Sequence, residues 1–531
     1  MKKNTSILST AFVALMLFTG CQKFLDKEPD NRAKLDSPQK VSEILASAYP
    51  QANYQAMAEL SSDNVGDNVN NDLDVSSWSK LVNDYYLYND NNGTDEDGPE
   101  SYWFGCYKAI AATNLALQAI NNAPDPQNYQ AQKGEALVAR AYGHFMLVNF
   151  FSKFYNATTA GTDLGIPYVT EPETVSIKKY DRKTVKYVYD MIEQDLQAGL
   201  PLIDNSVYPQ TDAIKYHFTK SAADAFAARF YLYKQNYDSV IKYCHAALPE
   251  TQYATNLRQW NTYYATLPAN GSINIGTVYS KATENANILL VEATSWWDRL
   301  IGGGKYGLTQ DLGRYFTGTA PVSGGSWAFP LYTQGSGTYK HYLIPKISEF
   351  FVETSIGSGI GEGWEMVPLF SAEDVLFNLA EAYTYKGQSD NAIALLNTYL
   401  STRITQYDAT VDNIDETKLL DYYGSTPADL TELQKGIISI FDGTGKPTTI
   451  AAYYTLTDAQ KALINTILEY RRAEFVHEGM RWFDVLRYGF EITHYDYQGN
   501  PLHVLRQNDP HRVFQIPATA AAQAGLELNP R

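Results

Sequence analysis

Charged side chains are concentrated in one segment near the end of the chain, between Glu469 and Gly489. They alternate there with large apolar residues, and the charged positions include Arg472, Glu474, Glu478, Arg481, Asp484 and Arg487. At helical spacing, Glu474 and Glu478 share one face, and Glu478 and Arg481 could pair. Gly479 would allow another segment to approach closely. Because buried charges are tolerated mainly when paired, the pattern predicts an ion-pair network joining helices rather than a catalytic cluster.

Motifs for catalysis and phosphate binding are incomplete in this sequence. The run 302–305 (GGGK) lacks the outer glycine and the following Ser or Thr of a phosphate-binding loop. His477-Glu478 lacks the second histidine of a zinc-binding helix, and no Gly-x-Ser-x-Gly nucleophile motif is present. The 8 histidines give no ligand pair at helical spacing. We therefore expect neither enzymatic activity nor a resident cofactor.

Oxygen-bearing side chains are dense between residues 63 and 74 and again between 90 and 97. Calcium binds six to eight oxygen ligands, so Asp63, Asp67 and Asp72 are candidate ligands. The glycine does not stand at the offset of an EF-hand loop, and a polar loop with Asx turns is the simpler interpretation. The run Asp95-Glu96-Asp97 is likewise interpreted as a solvated loop.

Helical periodicity dominates the chain after residue 37. Predicted helices span 38–57, 101–122, 129–154, 182–199, 219–234, 237–247, 371–386, 389–403, 457–478 and 481–488. Residues 372–403 carry the offsets of a tetratricopeptide repeat, and residues 222–248 repeat them loosely. Such helix pairs must stack to bury their apolar faces, which predicts a mostly α, tetratricopeptide-like scaffold. The intervening regions 58–98, 249–370 and 404–456 are poorly periodic, and we expect functional loops with short strands and turns there.

The first residues have the features of an export signal. Lys2 and Lys3 precede a short apolar stretch, and Gly20 precedes Cys21. The stretch is too short to span a membrane, and Cys21 after small residues resembles the acylation site of a bacterial lipoprotein. Cleavage near Gly20 in an ordinary secreted protein is the alternative. We predict a signal peptide at 1–20, a lipidated Cys21 with a tether to residue 36, and a single domain from 37 to 531. The formal net charge of −17 argues against nucleic acid as a partner.

The charged segment resembles the C-terminal signature of the SusD/RagB family of Bacteroidota outer-membrane lipoproteins. The matching positions are Arg471, Glu474, Glu478, Gly479, Arg481, Asp484, Arg487 and Gly489. Further matches are 21–26 (CQKFLD), 135–142 (EALVARAY), 165–168 (GIPY), 182–185 (RKTV), 513–517 (VFQIP) and 528–530 (LNP). The resemblance implies a right-handed superhelix of tetratricopeptide repeats that carries a variable, loop-rich region. It also implies lipid attachment at the cell surface and a TonB-dependent transporter of the SusC type as partner.

The same resemblance implies capture of a glycan, or of a peptide in the RagB branch, without chemistry on the lipoprotein. Aromatic rings stack on the apolar faces of sugars, while polar side chains bind their hydroxyl groups. On this basis the candidate ligand contacts are Trp78, Trp103, Trp296, Trp297, Asp298, Arg299, Trp327 and Tyr332. If Trp296 and Trp297 lie in a strand, only one of them faces the ligand. A scaffold that binds no small ligand and a cell-surface hydrolase remain as further alternatives.

Overall fold

The computed structural model describes residues 34–68, 77–173, 178–208, 210–268, 274–303, 305–336, 339–424 and 450–531, without the side chains of 77–79, 335, 336, 339, 451 and 454. In its first half, the helices are α1 Pro38–Leu45, α2 Gln55–Leu60, α3 Ser77–Tyr86, α4 Pro99–Asn122, α5 Gln130–Phe151, α6 Val185–Gly199, α7 Lys220–Tyr233, α8 Tyr237–Ala247 and α9 Tyr253–Asn256. The later helices are α10 Ile275–Tyr279, α11 Trp297–Gly303, α12 Gln310–Thr317, α13 Ala372–Tyr385, α14 Ser389–Leu400, α15 Ala409–Asp412, α16 Glu416–Gly424, α17 Asp458–Glu474, α18 Met480–Tyr488 and α19 Ala518–Ala524.

Short strands accompany the helices. They are β1 Gly66–Asp67, β2 Asn287–Thr294, β3 Tyr306–Gly307, β4 Tyr332–Ser336, β5 Tyr339–Leu343, β6 Glu349–Glu353, β7 Gly361–Ser371, β8 Ile492–Tyr495 and β9 Pro501–Leu505. Strands β2, β7 and β6 form an antiparallel sheet in that order, and the others pair two by two as β1–β3, β4–β5 and β8–β9. The mostly α prediction with a few short strands is confirmed.

Helix pairs with tight turns form the scaffold. Helices α7 and α8 pack together, as do α13 and α14, and each pair is joined by a short turn through a residue with positive φ, Gln235 or Gly387. Thr219 and Ser371 cap the first helix of each pair by accepting a backbone N–H, which satisfies a donor that the helix leaves free. Helix α5 is buried on nearly every face and lies within one contiguous apolar core. The predicted pairing of helices is therefore present.

Several boundaries differ from the prediction. The predicted helix 38–57 is two helices, because Pro50 lacks the backbone N–H that a continuous helix requires. Helices also occur in regions where only strands and turns were expected, including α3, α11, α12 and α16. These helices are short, and packing against the rest of the protein stabilises such segments more than their own propensity does. Local periodicity therefore does not predict them.

The predicted ion-pair network is present and joins helices α13, α17 and α18. Arg471 on α17 lies 3.2 Å from the carboxylate of Asp484 on α18 and 3.6 Å from that of Asp374 on α13. Arg487 on α18 pairs with Glu381 on α13 and lies 3.1 Å from Asp484. All of these side chains are buried. The network therefore connects the C-terminal helices to the repeat pair α13–α14.

The predicted pair between Glu478 and Arg481 is wrong. Residues 475–479 form turns between α17 and α18, so the helical spacing on which the prediction depended does not hold there. Arg481 instead binds Asp63 at 2.7 Å, and Glu478 lies 3.2 Å from the ammonium of Lys346. Gly479 has φ +73°, and a Cβ atom at this position would lie 2.8 Å from Ala58 on α2. The close approach predicted for Gly479 is therefore confirmed.

Candidate functional site

Two buried carboxyl groups fix the backbone just after strand β2. Asp97, in the loop before α4, accepts the hydroxyl of Ser295 at 2.8 Å and the backbone N–H of Trp296 at 2.7 Å. Glu365 on β7 accepts the backbone N–H of Asp298 at 2.7 Å. Burial raises the pKa of Asp97 to about 7 and that of Glu365 well above its ordinary value. This clamp sets the position of Trp296 and the start of α11, and the prediction of a solvated loop is wrong for Asp97.

Half-buried Trp296 forms a wall with the exposed side chains of Arg299 and Phe351. The guanidinium of Arg299 lies 4.1 Å above the indole ring and 5.9 Å from the ring of Phe351. A carboxylate oxygen of Glu349 lies 2.5 Å from Nε of Arg299 and holds the guanidinium in place. Gly363 permits the arrangement, since a Cβ atom there would lie 2.8 Å from Cζ3 of the indole. We call Trp296, Arg299 and Phe351 the Trp296 wall.

A polar hollow of about 270 Å³ lies beside this wall. Its lining includes Gln51, Glu96, Ser101, Lys108, Thr294 and Glu362, and we call it the Glu96 hollow. A hydrogen bond links the hollow to the wall: the indole N–H of Trp296 donates to the carboxylate of Glu96 at 3.4 Å. Glu96, Lys108 and Glu362 are exposed, so their charged groups can meet a ligand without first losing a buried partner. The hollow therefore offers carboxylate acceptors and an ammonium donor next to an aromatic surface.

The predicted contacts around residues 296–299 lie at this wall, with one exception. Trp297 is fully buried, and its indole N–H donates to the backbone oxygen of His477 at 2.8 Å. One of the two tryptophans is thus directed inward, but the reason is the start of helix α11 and not the alternation of a strand. Asp298 is half-buried, and one carboxylate oxygen accepts the backbone N–H of Glu349 at 3.1 Å. Asp298 therefore supports the wall, whereas Trp297 is a core residue.

The remaining aromatic candidates are Trp327, Tyr332, Trp103 and Trp78. Trp327 is buried between Phe329, Tyr399 and Tyr470, so its assignment as a ligand contact is corrected to core packing. Tyr332 is half-buried at the start of β4. Trp103 lines a different cavity on another face of α4. The backbone of Trp78 belongs to α3, while its side chain and Cys21 lie outside the described part of the chain.

The two calcium candidates in the described part of the chain, Asp63 and Asp67, are engaged by basic side chains. Asp63 accepts two hydrogen bonds from Arg481 at 2.7 Å and lies 3.4 Å from Arg472. Burial alone would raise the pKa of Asp63, but the two guanidinium groups outweigh it and hold the pKa below its ordinary value. Asp67 lies 3.6 Å from Lys305, and Asp72 is not among the described residues. Across the described ranges, no group of three or more His, Cys, Asp or Glu side chains is placed to hold a metal ion.

Sequence reasoning missed Glu96, Lys108, Glu362 and Phe351. Glu96 lies in the loop before α4, Lys108 on α4, Phe351 on β6 and Glu362 on β7, and only the packing of these elements brings them close to Trp296. The acidic run Asp95-Glu96-Asp97 was the one signal that the sequence offered. In the structure Asp97 of this run is buried, and Glu96 lines the hollow.

Comparisons with known proteins agree over most of the chain. Residues 23–232 match a family described as "SusD-like_3: Starch-binding associating with outer membrane", and residues 331–524 match the SusD family, SusD_RagB. A curated protein, SusD-like protein P38 of Formosa agariphila, is 25% identical over 280 residues, which are 49% of each chain. The chain thus spans about half the length of the curated relative it matches.

Solved structures show the same fold. A SusD superfamily protein from Bacteroides vulgatus has a TM-score of 0.62 at 18% identity, covering 92% of this chain and 97% of that one. A putative sugar binding protein from the same species has a TM-score of 0.62 at 19% identity, covering 94% and 99%. A "Laminarin binding SusD-like protein" has a TM-score of 0.54 at 17% identity, covering 93% and 99%. Within the described ranges, no helix is both long and apolar enough to cross a membrane.

Proposed function

Because this chain belongs to the SusD/RagB family, we propose that it is a carbohydrate-binding lipoprotein of the outer membrane that captures oligosaccharide at the cell surface. The ligand lies in the Glu96 hollow against the Trp296 wall. A lipid on Cys21 attaches the protein, and a transporter of the SusC type receives the ligand. The protein itself carries out no chemistry.

The observation that carries this proposal is the aromatic wall standing directly beside a polar hollow of about 270 Å³. A sugar ring has apolar C–H faces and a rim of hydroxyl groups. Indole and phenyl rings contact the former, while carboxylates accept hydroxyl protons and ammonium or guanidinium groups donate to hydroxyl oxygens. Trp296 and Phe351 supply the rings, and Glu96, Glu362 and Lys108 supply the polar groups.

Arg299 has a particular place in this arrangement. Its guanidinium covers one face of the Trp296 ring at 4.1 Å, so on that face a ligand contacts the guanidinium, while its apolar faces pack on the remaining indole surface and on Phe351. The pairing with Glu349 fixes the planar fork of Arg299, which lowers the entropy lost when it donates to a hydroxyl group. Descriptions of similar proteins as starch-binding, sugar binding and laminarin binding support a glucan as the first ligand to test.

Calorimetric titration of the purified protein tests the ligand class. The panel comprises laminari-oligosaccharides, malto-oligosaccharides and a mixed peptide digest. We expect heat from at least one glucan series, with affinity that rises with chain length, and no heat from the peptides. Heat from the peptides alone would replace the glycan with a peptide ligand, and the absence of heat from every member would favour a scaffold without a small ligand.

A further inference from the structure

A second cavity, of about 180 Å³, lies between helix α4, residues 167–173 and 178–180, and the C-terminal helix α19. Its walls include the aromatic side chains of Trp103, Phe104, Tyr107 and Tyr180. We call it the Trp103 groove. Its volume lies below the roughly 300–1,000 Å³ typical of pockets for drug-sized ligands, so it suits a single ring.

The groove and the Glu96 hollow lie on two sides of the same helix. Ser101, Gly105 and Lys108 of α4 line the hollow, whereas Trp103 and Tyr107 line the groove. At 3.6 residues per turn these sets lie on different faces, and the helix with its side chains is roughly 10–12 Å across. The two cavities are therefore about one helix width apart.

Exposed side chains form the ridge between the two cavities. Phe104 lines the groove and Lys108 lines the hollow, and they are four residues apart on the outer surface of α4. Side chains at this spacing are neighbours along a helix. Phe104 is 39% exposed although it is a large apolar residue, and it provides an aromatic contact for a ligand that crosses the ridge.

Trp103 has a polar atom without a partner. The side chain is only 3% exposed and packs edge-on against Phe151, with 4.9 Å between ring centroids. Its indole N–H donates to no group in the described part of the chain. The unpartnered indole nitrogens of Trp260 and Trp482 are fully enclosed, whereas that of Trp103 is not among the enclosed atoms. Since Trp103 lines the groove, we assign this free donor to the groove.

Polar groups of both kinds surround the mouth of the groove. Glu173 accepts the hydroxyl proton of Tyr180 at 2.5 Å, and the ammonium of Lys178 lies 5.2 Å from the Tyr180 ring. Glu171 and Gln523 are exposed and have no hydrogen bond or ion pair to any described residue. Donors and acceptors mixed beside aromatic rings suit a neutral, hydroxyl-rich ring better than an ion.

We propose that the Trp103 groove is a second sugar-binding subsite, and that one oligosaccharide occupies it and the Glu96 hollow together by crossing the ridge at Phe104. This inference rests on the proposed function, because it extends the same ligand across α4. It predicts that short sugars gain little from the second subsite, whereas longer chains gain the contacts of both.

Fluorine NMR on protein labelled with 5-fluorotryptophan tests the proposal. The 8 tryptophans give separate probes, and Trp103→Phe and Trp296→Phe identify the two signals of interest. The probes are the disaccharides and hexasaccharides of the laminarin and starch series. We expect a hexasaccharide to shift both signals. Phe104→Ala should weaken hexasaccharide binding about tenfold and abolish the shift of the Trp103 signal, while the shift of the Trp296 signal persists.

Tyr187→Ala is the matched control, because Tyr187 is an exposed aromatic residue (42%) on α6 and lines neither cavity. It should change neither signal nor affinity. A hexasaccharide that shifts the Trp296 signal but not the Trp103 signal would overturn the second subsite and leave the proposed function intact. If no member of the panel shifts the Trp296 signal, the proposed function fails and the second subsite fails with it.

Discussion

Replacing Glu373 with glutamine is expected to lower the free energy of unfolding by about 3–5 kcal/mol. Glu373 is fully buried on α13, where its two carboxylate oxygens lie 2.7 Å from the guanidinium groups of Arg258 and Arg403. Arg403 in turn lies 3.0 Å from Glu474 on α17. An amide would leave two buried guanidinium groups short of a counter-charge. The variant thus tests whether this chain of charges attaches the segment around Arg258 to the repeat helices.

The pH dependence gives this experiment a second readout. Burial alone would raise the pKa of Glu373, but Arg258 and Arg403 outweigh it and hold the pKa at about 2. A carboxyl group with a lowered pKa in the folded state stabilises the fold fully above its ordinary value near 4.5, and this contribution is lost as the pH falls toward 2. The contribution amounts to roughly 3 kcal/mol. In Glu373→Gln, this part of the acid sensitivity should be absent.

Asp190→Asn is the matched control for Glu373→Gln. Asp190 lies 2.6 Å from Lys186 in an ion pair that is about half exposed on both sides. Pairs of this kind contribute about 0–1 kcal/mol, so the same acid-to-amide change should have little effect. Urea unfolding of both variants measures the difference. Equal, small losses in the two variants would contradict a stabilising role for the buried network.

Gly479→Ala is expected to cost about 2–4 kcal/mol of unfolding free energy. The backbone of Gly479 has φ +73°, a conformation that residues with a Cβ atom rarely adopt. The added Cβ would also lie 2.8 Å from Cβ of Ala58 and 3.3 Å from Cα of Gln55, both on α2. Helix α2 begins two residues after Asn53, whose amide donates to Ser295 at 3.0 Å. A displaced α2 would therefore loosen the clamp at the Trp296 wall.

Gly387→Ala separates the two causes of this loss. Gly387 has the same φ of +73°, but the nearest atom to an added Cβ is 4.0 Å away, on the side chain of Gln460. This control should lose only the conformational part, about 1 kcal/mol. Thermal and urea unfolding of both variants measure the difference between them. If Gly387→Ala were as destabilised as Gly479→Ala, crowding against α2 would not contribute.

The scaffold was largely predictable from sequence because its signals are local. The periodicity of 372–403, 457–478 and 481–488 predicts helices that the structure confirms as α13, α14, α17 and α18, although α17 ends at Glu474. The alternation of charged and apolar residues likewise predicts buried ion pairs. The partners in those pairs were not predictable, since Arg471 and Asp374, for example, are far apart in sequence and meet only after the helices pack.

The site was predictable only in part. Trp296 was chosen for its neighbours in sequence, and the structure places it beside a polar hollow. The inward direction of Trp297 depends on where β2 ends and α11 begins, which the sequence does not mark. Trp327 has the composition of a loop around it but packs against Tyr399 and Tyr470 from distant helices. Exposure of an aromatic residue is thus decided by tertiary packing that a single sequence does not display.

Titration of Trp296→Ala with the glucan that binds the unaltered protein tests the central claim most directly. Tyr263→Ala, which removes another exposed aromatic ring, is the control. We expect Trp296→Ala to lose at least about tenfold in affinity, roughly 1.4 kcal/mol, while its unfolding midpoint stays close to that of the control. Unchanged affinity in a folded Trp296→Ala protein would contradict a binding site at the Trp296 wall.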